Sequence, residues 1–378
     1  MRLLILLVLI AGATLRAASA EDTGRLKQTN VFVSGESGYH TYRIPSLYVT
    51  PEGTVLAFCE GRRHRRADTG DIDLVLKRSS DNGATWGPMQ VIADDGPNTV
   101  GNPCPVVDRD TGIIWLPITR NLGEDAERQI MDGTSRGTRE AWIMRSDDDG
   151  ETWSEPVEIT ETTKLPDWTW YATGPGCGIQ LKSGRLVIPC DHAVAVSKMY
   201  RSHVIYSDDQ GESWQLGGVV GENVNECQVV ELQDGSLLIN MRSYHQEGCR
   251  AIATSRDSGL TWSQVTLDRT LIEPVCQASL LRFTDQRTYF KNRLLFSNPA
   301  GTRRINLTVR VSYDEGGSWP VSKVLHEGPS AYSALAVLPD MTIGCLYERG
   351  KETPYETITF ARFPIEWLTD GADSLKRR

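Results

Sequence analysis

Five copies of one eight-residue pattern constrain this chain of 378 residues more than anything else in it. They run Ser79–Trp86, Ser146–Trp153, Ser207–Trp214, Ser255–Trp262 and Ser312–Trp319, and share the form Ser-x-Asp-x-Gly-x-Thr/Ser-Trp. The acids fall at Asp81, Asp148, Asp209, Asp257 and Asp314, in steps of 67, 61, 48 and 57 residues. A repeat of that length means a series of supersecondary units, none of which can bury its apolar face alone.

Each copy has the chemistry of a tight turn between two strands. Asp and Ser side chains accept hydrogen bonds from nearby backbone N–H groups, and Gly takes positive φ without steric cost. The Trp brings a large apolar area that would wedge between the strands of one small sheet. Flanking segments such as Asp73–Lys77 and Arg201–Tyr206 alternate or run β-branched, as strands do. Metal binding or catalysis is the competing reading of the five acids, but turn formation accounts for them. The expected fold is all-β, a six-bladed β-propeller with five motif-bearing blades and a last one without the motif. The sixth blade would draw on Ala331–Phe363, and the strand around Asn30–Val33 would close the ring against it.

Residues 1–20 have Arg2, the apolar run Leu3–Ile10 and Ala18-Ser19-Ala20 before Glu21, the pattern of a cleaved export signal. The apolar run is too short to span a bilayer. Residues 21–378 then read as one domain, with no Pro/Gly/Ser-rich linker to divide them, and the tail at 374–378 as a frayed terminus. Without Arg2 and Arg16 the chain has 38 basic against 49 acidic side chains, a net of −11. That balance argues against a nucleic-acid or anionic-membrane surface, and an anionic substrate would need a local basic cluster. The eight cysteines show no CxxC and no metal-ligand spacing. Export permits disulfides, yet several lie in apolar strand-like runs, and buried free thiols are expected for most.

Arginines recur at the ends of strand-like segments: Arg43, Arg242 and Arg304. Three guanidiniums meeting at one point would clamp a carboxylate, since each presents a planar fork of donors; singly, each reads as a surface ion pair. Glu226 and Tyr332 are polar groups set in apolar stretches. A tyrosine serves as a nucleophile when a carboxylate takes its proton, although a satisfied core Glu and a packed Tyr are the simpler reading of these two residues by themselves. Asp68 lies in the basic segment Arg62–Asp71, whose charges would depress its pKa, and a solvated loop is again the plainer reading.

Together these segments resemble the exo-α-sialidases (neuraminidases) of the Asp-box type, over essentially all of Asn30–Phe363. Tyr42-Arg-Ile-Pro45 precedes the first motif, and Glu60-Gly-Arg62 is followed by Asp68. Asn102-Pro-Cys-Pro105, Thr173-Gly-Pro-Gly176, Glu226-Cys-Gln228, Cys276-Gln277 and Gly344-Cys-Leu-Tyr-Glu348 come in the family's order. The resemblance implies that Arg43, Arg242 and Arg304 hold the carboxylate of sialic acid. Tyr332 would be the nucleophile, Glu226 its base and Asp68 the acid/base. Arg62 and Asn102 would contact the O4 and N-acetyl region, Gln277 would belong with the substrate contacts, and Glu60 and Glu348 would orient the arginines. It further implies sialylated glycans, glycoproteins or gangliosides as substrate, a retaining hydrolysis, and no metal or organic cofactor.

The segment Pro189–Ala193 lacks the paired tyrosines that the animal cytosolic enzyme carries near its glycerol pocket. Arg303 competes with Arg304 for the third place in the clamp. A transferase, a lyase or a hydrolase of another nonulosonic acid would share the same fold, and the motifs alone would also suit a non-catalytic binding propeller.

Overall fold

The structure, a computed structural model, describes residues 25–378; the expected export signal lies outside them. Strands dominate, in antiparallel units of four strands, or five where the innermost strand is split in two, that follow one another along the chain. Blade 1 is Thr41–Val49, Val55–Arg62, Ile72–Ser79 and Gln90–Ala93. Blade 2 pairs the short Thr99–Gly101 and Val106–Val107 with Ile114–Asn121, Glu140–Ser146 and Val157–Glu158. Blade 3 pairs Trp168–Thr173 and Ile179–Gln180 with Leu186–Val194, Tyr200–Ser207 and Gln215–Val220. Blade 4 is Val224–Glu231, Leu237–Ser243, Cys249–Ser255 and Thr266–Ile272. Blade 5 is Ser279–Thr284, Arg293–Pro299, Ile305–Ser312 and the first half of Val321–Val337. The second half of that long strand opens blade 6, with Ile343–Arg349, Thr357–Phe363 and, last, Lys27–Val33. The early strand pairs with Thr357–Phe363 from Lys27 opposite Arg362 to Val33 opposite Thr357, as the sequence led us to expect.

Burial shows how the units become a ring. Six large apolar clusters each join two successive blades. Phe58 and Leu76 meet Ile114 and Met144 between blades 1 and 2. Val187 and Val204 meet Val229 and Ile239 between blades 3 and 4. The cluster that joins the last blade to the first holds Phe32, Ala334, Leu346 and Phe360 together with Leu47 and Ala57. The fold is therefore a six-bladed propeller, closed by packing as well as by strand pairing.

The repeated turn works as its composition suggests. In the first copy the Ser79 hydroxyl donates to Asp81 Oδ1 at 2.7 Å and accepts from Gly83 N at 2.9 Å. Asp81 also accepts from Thr85 N (2.8 Å) and the Thr85 hydroxyl (2.7 Å). The other four copies repeat these bonds. The Trp differs from expectation. It packs not within its own sheet but against the preceding blade: Trp86 lies edge-on to Phe360, centroids 5.3 Å apart, and Trp153 edge-on to Phe58 at 5.7 Å. Trp214 and Trp262 likewise join the clusters shared with the blade before, while Trp319 reaches both: it donates to Asp268 Oδ2 of the blade before at 3.2 Å and packs on Phe296 of its own sheet, centroids 5.6 Å apart. The motif glycine is needed twice over. Gly83 has φ +77°, and a Cβ there would sit 2.1 Å from the Phe360 ring.

Two smaller readings also meet the structure. All eight cysteines are free thiols, and all but Cys177 are buried. The tail at 374–378 is docked rather than frayed: Arg378 N donates to Thr288 O at 3.1 Å, and Phe290 N to Lys376 O at 3.2 Å. No helix among the described residues is long and apolar enough to cross a membrane.

Candidate active site

Antiparallel alternation sorts the loops between two ends of the ring. The starts of the first strands and the loops from second to third strands share one end; the repeated turns, between third and fourth strands, lie at the other. Arg43, Glu226 and Tyr332 sit near the beginnings of first strands, in blades 1, 4 and 6. Arg62, Arg242 and Glu348 end second strands, and Asp68 and Arg304 lie in the loops that follow. They meet around a cavity of ≈ 570 Å³ lined almost wholly by polar side chains.

At its floor is Tyr332, 5% exposed. Its hydroxyl donates to Glu226 Oε1. Arg242 Nη1 donates to Glu226 Oε2 at 2.8 Å and to the Tyr332 hydroxyl at 3.2 Å. The Arg43 and Arg304 guanidiniums stand 5.2 and 5.6 Å from the Tyr332 ring centroid. The three arginines thus converge, which no spacing in the chain could establish. Arg304 rather than Arg303 faces the cavity; Arg303 is exposed outside it. Burial and the Glu226 charge hold the Tyr332 hydroxyl well above its ordinary pKa, against the lowering effect of Arg242 and Arg304, so it keeps its proton. Burial opposes the charge on Arg43 and Arg242, but Glu348 and Glu226 respectively outweigh it and hold both guanidiniums ionised.

Glu348, fully buried, ties three parts together. It accepts from Arg43 Nε at 2.7 Å, from Ile44 N at 3.0 Å and from Tyr332 N at 3.1 Å. Glu60 does the same one blade on, accepting from Arg62 Nη2 at 2.6 Å and from Asn102 N at 3.0 Å. Asp68 lies at the cavity mouth, its side chain 61% exposed, 2.8 Å from Arg62 Nη1 and 3.9 Å from Arg43 Nη1. Partial desolvation raises the Asp68 carboxyl, but Arg62 and then Arg43 outweigh it and bring it below the usual carboxylate range.

Ten of the eleven residues picked from the sequence line the cavity or hold one that does. Gln277 is the correction. It is 1% exposed beneath the floor, and its amide is fully engaged: Nε2 donates to Pro175 O (3.1 Å) and Ser333 O (3.0 Å), while Oε1 accepts from Ser333 N (3.0 Å). It anchors the strand that carries Tyr332 and does not reach the cavity.

Other lining residues had no signal strong enough to be read. Arg139 is 2% exposed; among the described residues no carboxylate pairs with it, and it donates to Asn121 Oδ1 (2.8 Å), Asn102 Oδ1 (2.5 Å) and the Thr119 hydroxyl (2.8 Å), and lies 4.0 Å from the Trp170 ring centroid. Burial lowers its pKa. Asp191 is 1% exposed, and burial followed by the Glu226 charge pushes its carboxyl well above the ordinary carboxylate range. Burial also raises Glu127, which accepts from the Tyr200 hydroxyl at 2.6 Å. Tyr200 stacks on Tyr244, centroids 5.2 Å apart, so an aromatic pair borders this wall although Pro189–Ala193 supplies none. Among the described residues, no group of three or more His, Cys, Asp or Glu is arranged to hold a metal ion.

The turns and blades define a class, the BNR-repeat propellers: a family model described as "BNR repeat-like domain" matches residues 53–345. Within it the chain is 36% identical over 361 residues to a sialidase of Micromonospora viridifaciens, covering 90% of this chain and 54% of that protein. It is 34% identical over 373 residues to an exo-alpha-sialidase of Aspergillus fumigatus, covering 89% and 87%. A solved structure, "Hadza microbial sialidase Hz136", superposes with a TM-score of 0.82 at 34% identity, over 90% of this chain and 69% of that one. The chain belongs to the sialidase family, and it spans about half the length of the Micromonospora relative.

Proposed function

We propose that the protein is a hydrolytic exo-α-sialidase that removes terminal α-linked sialic acid with retention of configuration. The observation that carries this reading is the Tyr332–Glu226 hydrogen bond beneath three converging arginines. Sialic acid bears a carboxylate on its anomeric carbon. A carboxylate nucleophile would meet that charge at close range in a site of low dielectric. A neutral tyrosine avoids the clash, and tyrosine is the recognised sialidase exception among glycosidase nucleophiles.

Arg43, Arg242 and Arg304 bind the substrate carboxylate and fix the ring for attack. Tyr332 Oη bonds to the anomeric carbon as its proton passes to Glu226. Asp68 protonates the departing glycosidic oxygen as that bond breaks. In the empty site the arginines favour an ionised Asp68; a substrate carboxylate seated among them cancels part of that field and lets Asp68 take up the proton it must give. Asp68 then removes a proton from water, which attacks the same carbon, and Tyr332 leaves with the proton returned by Glu226. Two inversions leave the configuration unchanged.

The test is release of 4-methylumbelliferone from its N-acetylneuraminic acid glycoside, with Tyr332→Phe as the paired variant. The unaltered protein releases it, and the variant falls by about 10³-fold or more with an unchanged thermal melt. Folded, sialoside-binding protein that releases nothing would instead point to a binding role.

A further inference from the structure

We propose that the ring has a second ligand site, a hollow at the end opposite the cavity, which takes a medium-chain alkyl carboxylate with its tail inside and its head at the rim. The hollow, ≈ 600 Å³, falls within the roughly 300–1,000 Å³ usual for small-molecule sites. It lies where the innermost strands end, whereas the cavity lies where they begin: Leu47–Val49 follow Arg43, Gln228–Glu231 follow Glu226 and Leu335–Val337 follow Tyr332. Among the described residues none lines both spaces. The buried amides of Gln277, beneath the cavity floor, and Gln228, at the hollow, both donate to Pro175 O (3.1 and 3.3 Å) and stand between the two.

The interior offers a ligand little but apolar surface. Val49, Ile179, Leu281 and Val337, from blades 1, 3, 5 and 6, line it and are only half-buried. The polar groups among them are engaged. The Cys177 thiol donates to Leu47 O at 3.0 Å, and the Gln228 amide donates to Cys227 O as well as to Pro175 O. Gln180 accepts from Arg109 N at 2.9 Å and donates to Asp108 Oδ1 at 2.7 Å. Such a wall suits a chain of methylenes, each of which tightens binding about fourfold when buried.

The rim decides the sign of the head group. Its two acids are taken: Glu231 accepts from Lys182 N at 3.0 Å, with Lys182 Nζ 3.7 Å away, and Asp285 accepts from Arg287 N (2.8 Å) and Thr288 N (3.2 Å). Arg282 is taken as well, by the two oxygens of Glu315 at 2.7 and 2.5 Å. Two guanidiniums are left over. Among the described residues that of Arg109 donates only to the carbonyls of Gln180 (3.1 Å) and Leu181 (3.2 Å), and that of Arg287 has no hydrogen bond or ion pair. Both are exposed, on blades 2 and 5, which face each other across a six-bladed ring. A cationic head would find the carboxylates of the rim engaged, whereas a carboxylate finds two forks of donors without an anion.

The experiment is equilibrium dialysis of radiolabelled octanoate against the whole protein, beside hexanoate and 1-octanol. Octanoate binds, and hexanoate, shorter by two methylenes, binds about fifteenfold more weakly. 1-Octanol, with the same chain and no charge, binds about tenfold more weakly than octanoate. Arg109→Ala combined with Arg287→Ala removes the preference for octanoate over octanol. Ile179→Glu sets a carboxylate inside the hollow and weakens octanoate by about tenfold or more. The site is overturned if octanoate does not bind, if octanol binds as well as octanoate, or if either variant holds octanoate as tightly as the unaltered protein. Should Ile179→Glu fail to fold, the double variant decides alone, since both its arginines are exposed. The outcome is independent of the sialidase reading, because no group of the cavity takes part.

Discussion

The turn after a blade's third strand and the loop after its second strand lie at opposite ends of one sheet, and they use acids in opposite ways. In the turns, each Asp is engaged within four residues of itself. Asp81, Asp148, Asp209, Asp257 and Asp314 all sit below the ordinary carboxylate range, Asp257 at about 2, mainly because hydroxyls and backbone N–H groups of the same turn hold the charged form. At the cavity end the acids answer to partners far away in sequence: Glu348 to Arg43, Glu226 to Tyr332 and Asp68 to two arginines. A local device can be copied blade after blade. The cavity set is not a copied unit, because its acids, arginines and tyrosine come from separate blades to one shared point.

Substitutions at the two ends should therefore read out differently. Asp68→Asn removes the proposed proton donor and lowers kcat/KM on sialyllactose by about 10²- to 10⁴-fold, with the fold intact by circular dichroism. A fall under tenfold would remove Asp68 from its proposed role. Glu348→Ala leaves Arg43 buried without its partner and costs about 3–5 kcal/mol in a urea melt, with activity lost as well. A loss below about 1 kcal/mol would show that the cavity end is not held by its long-range pairs.

Between the two ends, in blade 3, the buried His192 and His203 rings face each other with Nδ1 atoms 3.0 Å apart. Burial holds both below their ordinary value, His192 at about 3. The unfolded chain takes up these protons near pH 6.5 and the folded one does not, so stability is full above that pH and falls below it. The melting temperature should drop by roughly 5 °C or more between pH 7 and 5, and His192→Phe, still stacked on Trp168, should lessen the drop. An identical drop in the variant would assign the acid sensitivity elsewhere. Asp81→Ala is the smallest change: about 1 kcal/mol of stability and kcat within about twofold. A large loss of activity there would erase the contrast between the ends.

Much of this was legible in the chain because it is written locally or repeated. The turn motif marked five blades, and Ala331–Phe363 was left to supply the unmarked sixth. Arg43 stood out at the end of a strand-like segment, and Glu226 and Tyr332 as polar groups set in apolar stretches. Arg139, Asp191 and Tyr355 were not legible, since each acquires its neighbours only when the ring curves: Arg139 against Trp170 of the next blade, Tyr355 against arginines of blades 1 and 5. Gln277 failed for the converse reason. Its position follows the family pattern, but its amide is taken by three backbone groups that only the packed strands bring near. The direction of the motif Trp, too, depends on a neighbouring blade that no single repeat describes.

Lys27–Val33 is the first described strand to leave the ribosome, yet its partner Thr357–Phe363 is made more than 300 residues later. Until then that edge has no native mate, and contacts of such long range form slowly. Release of the last blade is thus the moment at which the molecule can become whole. Shortening either strand would leave every group of the cavity in the chain, and the circle that gathers them unlatched.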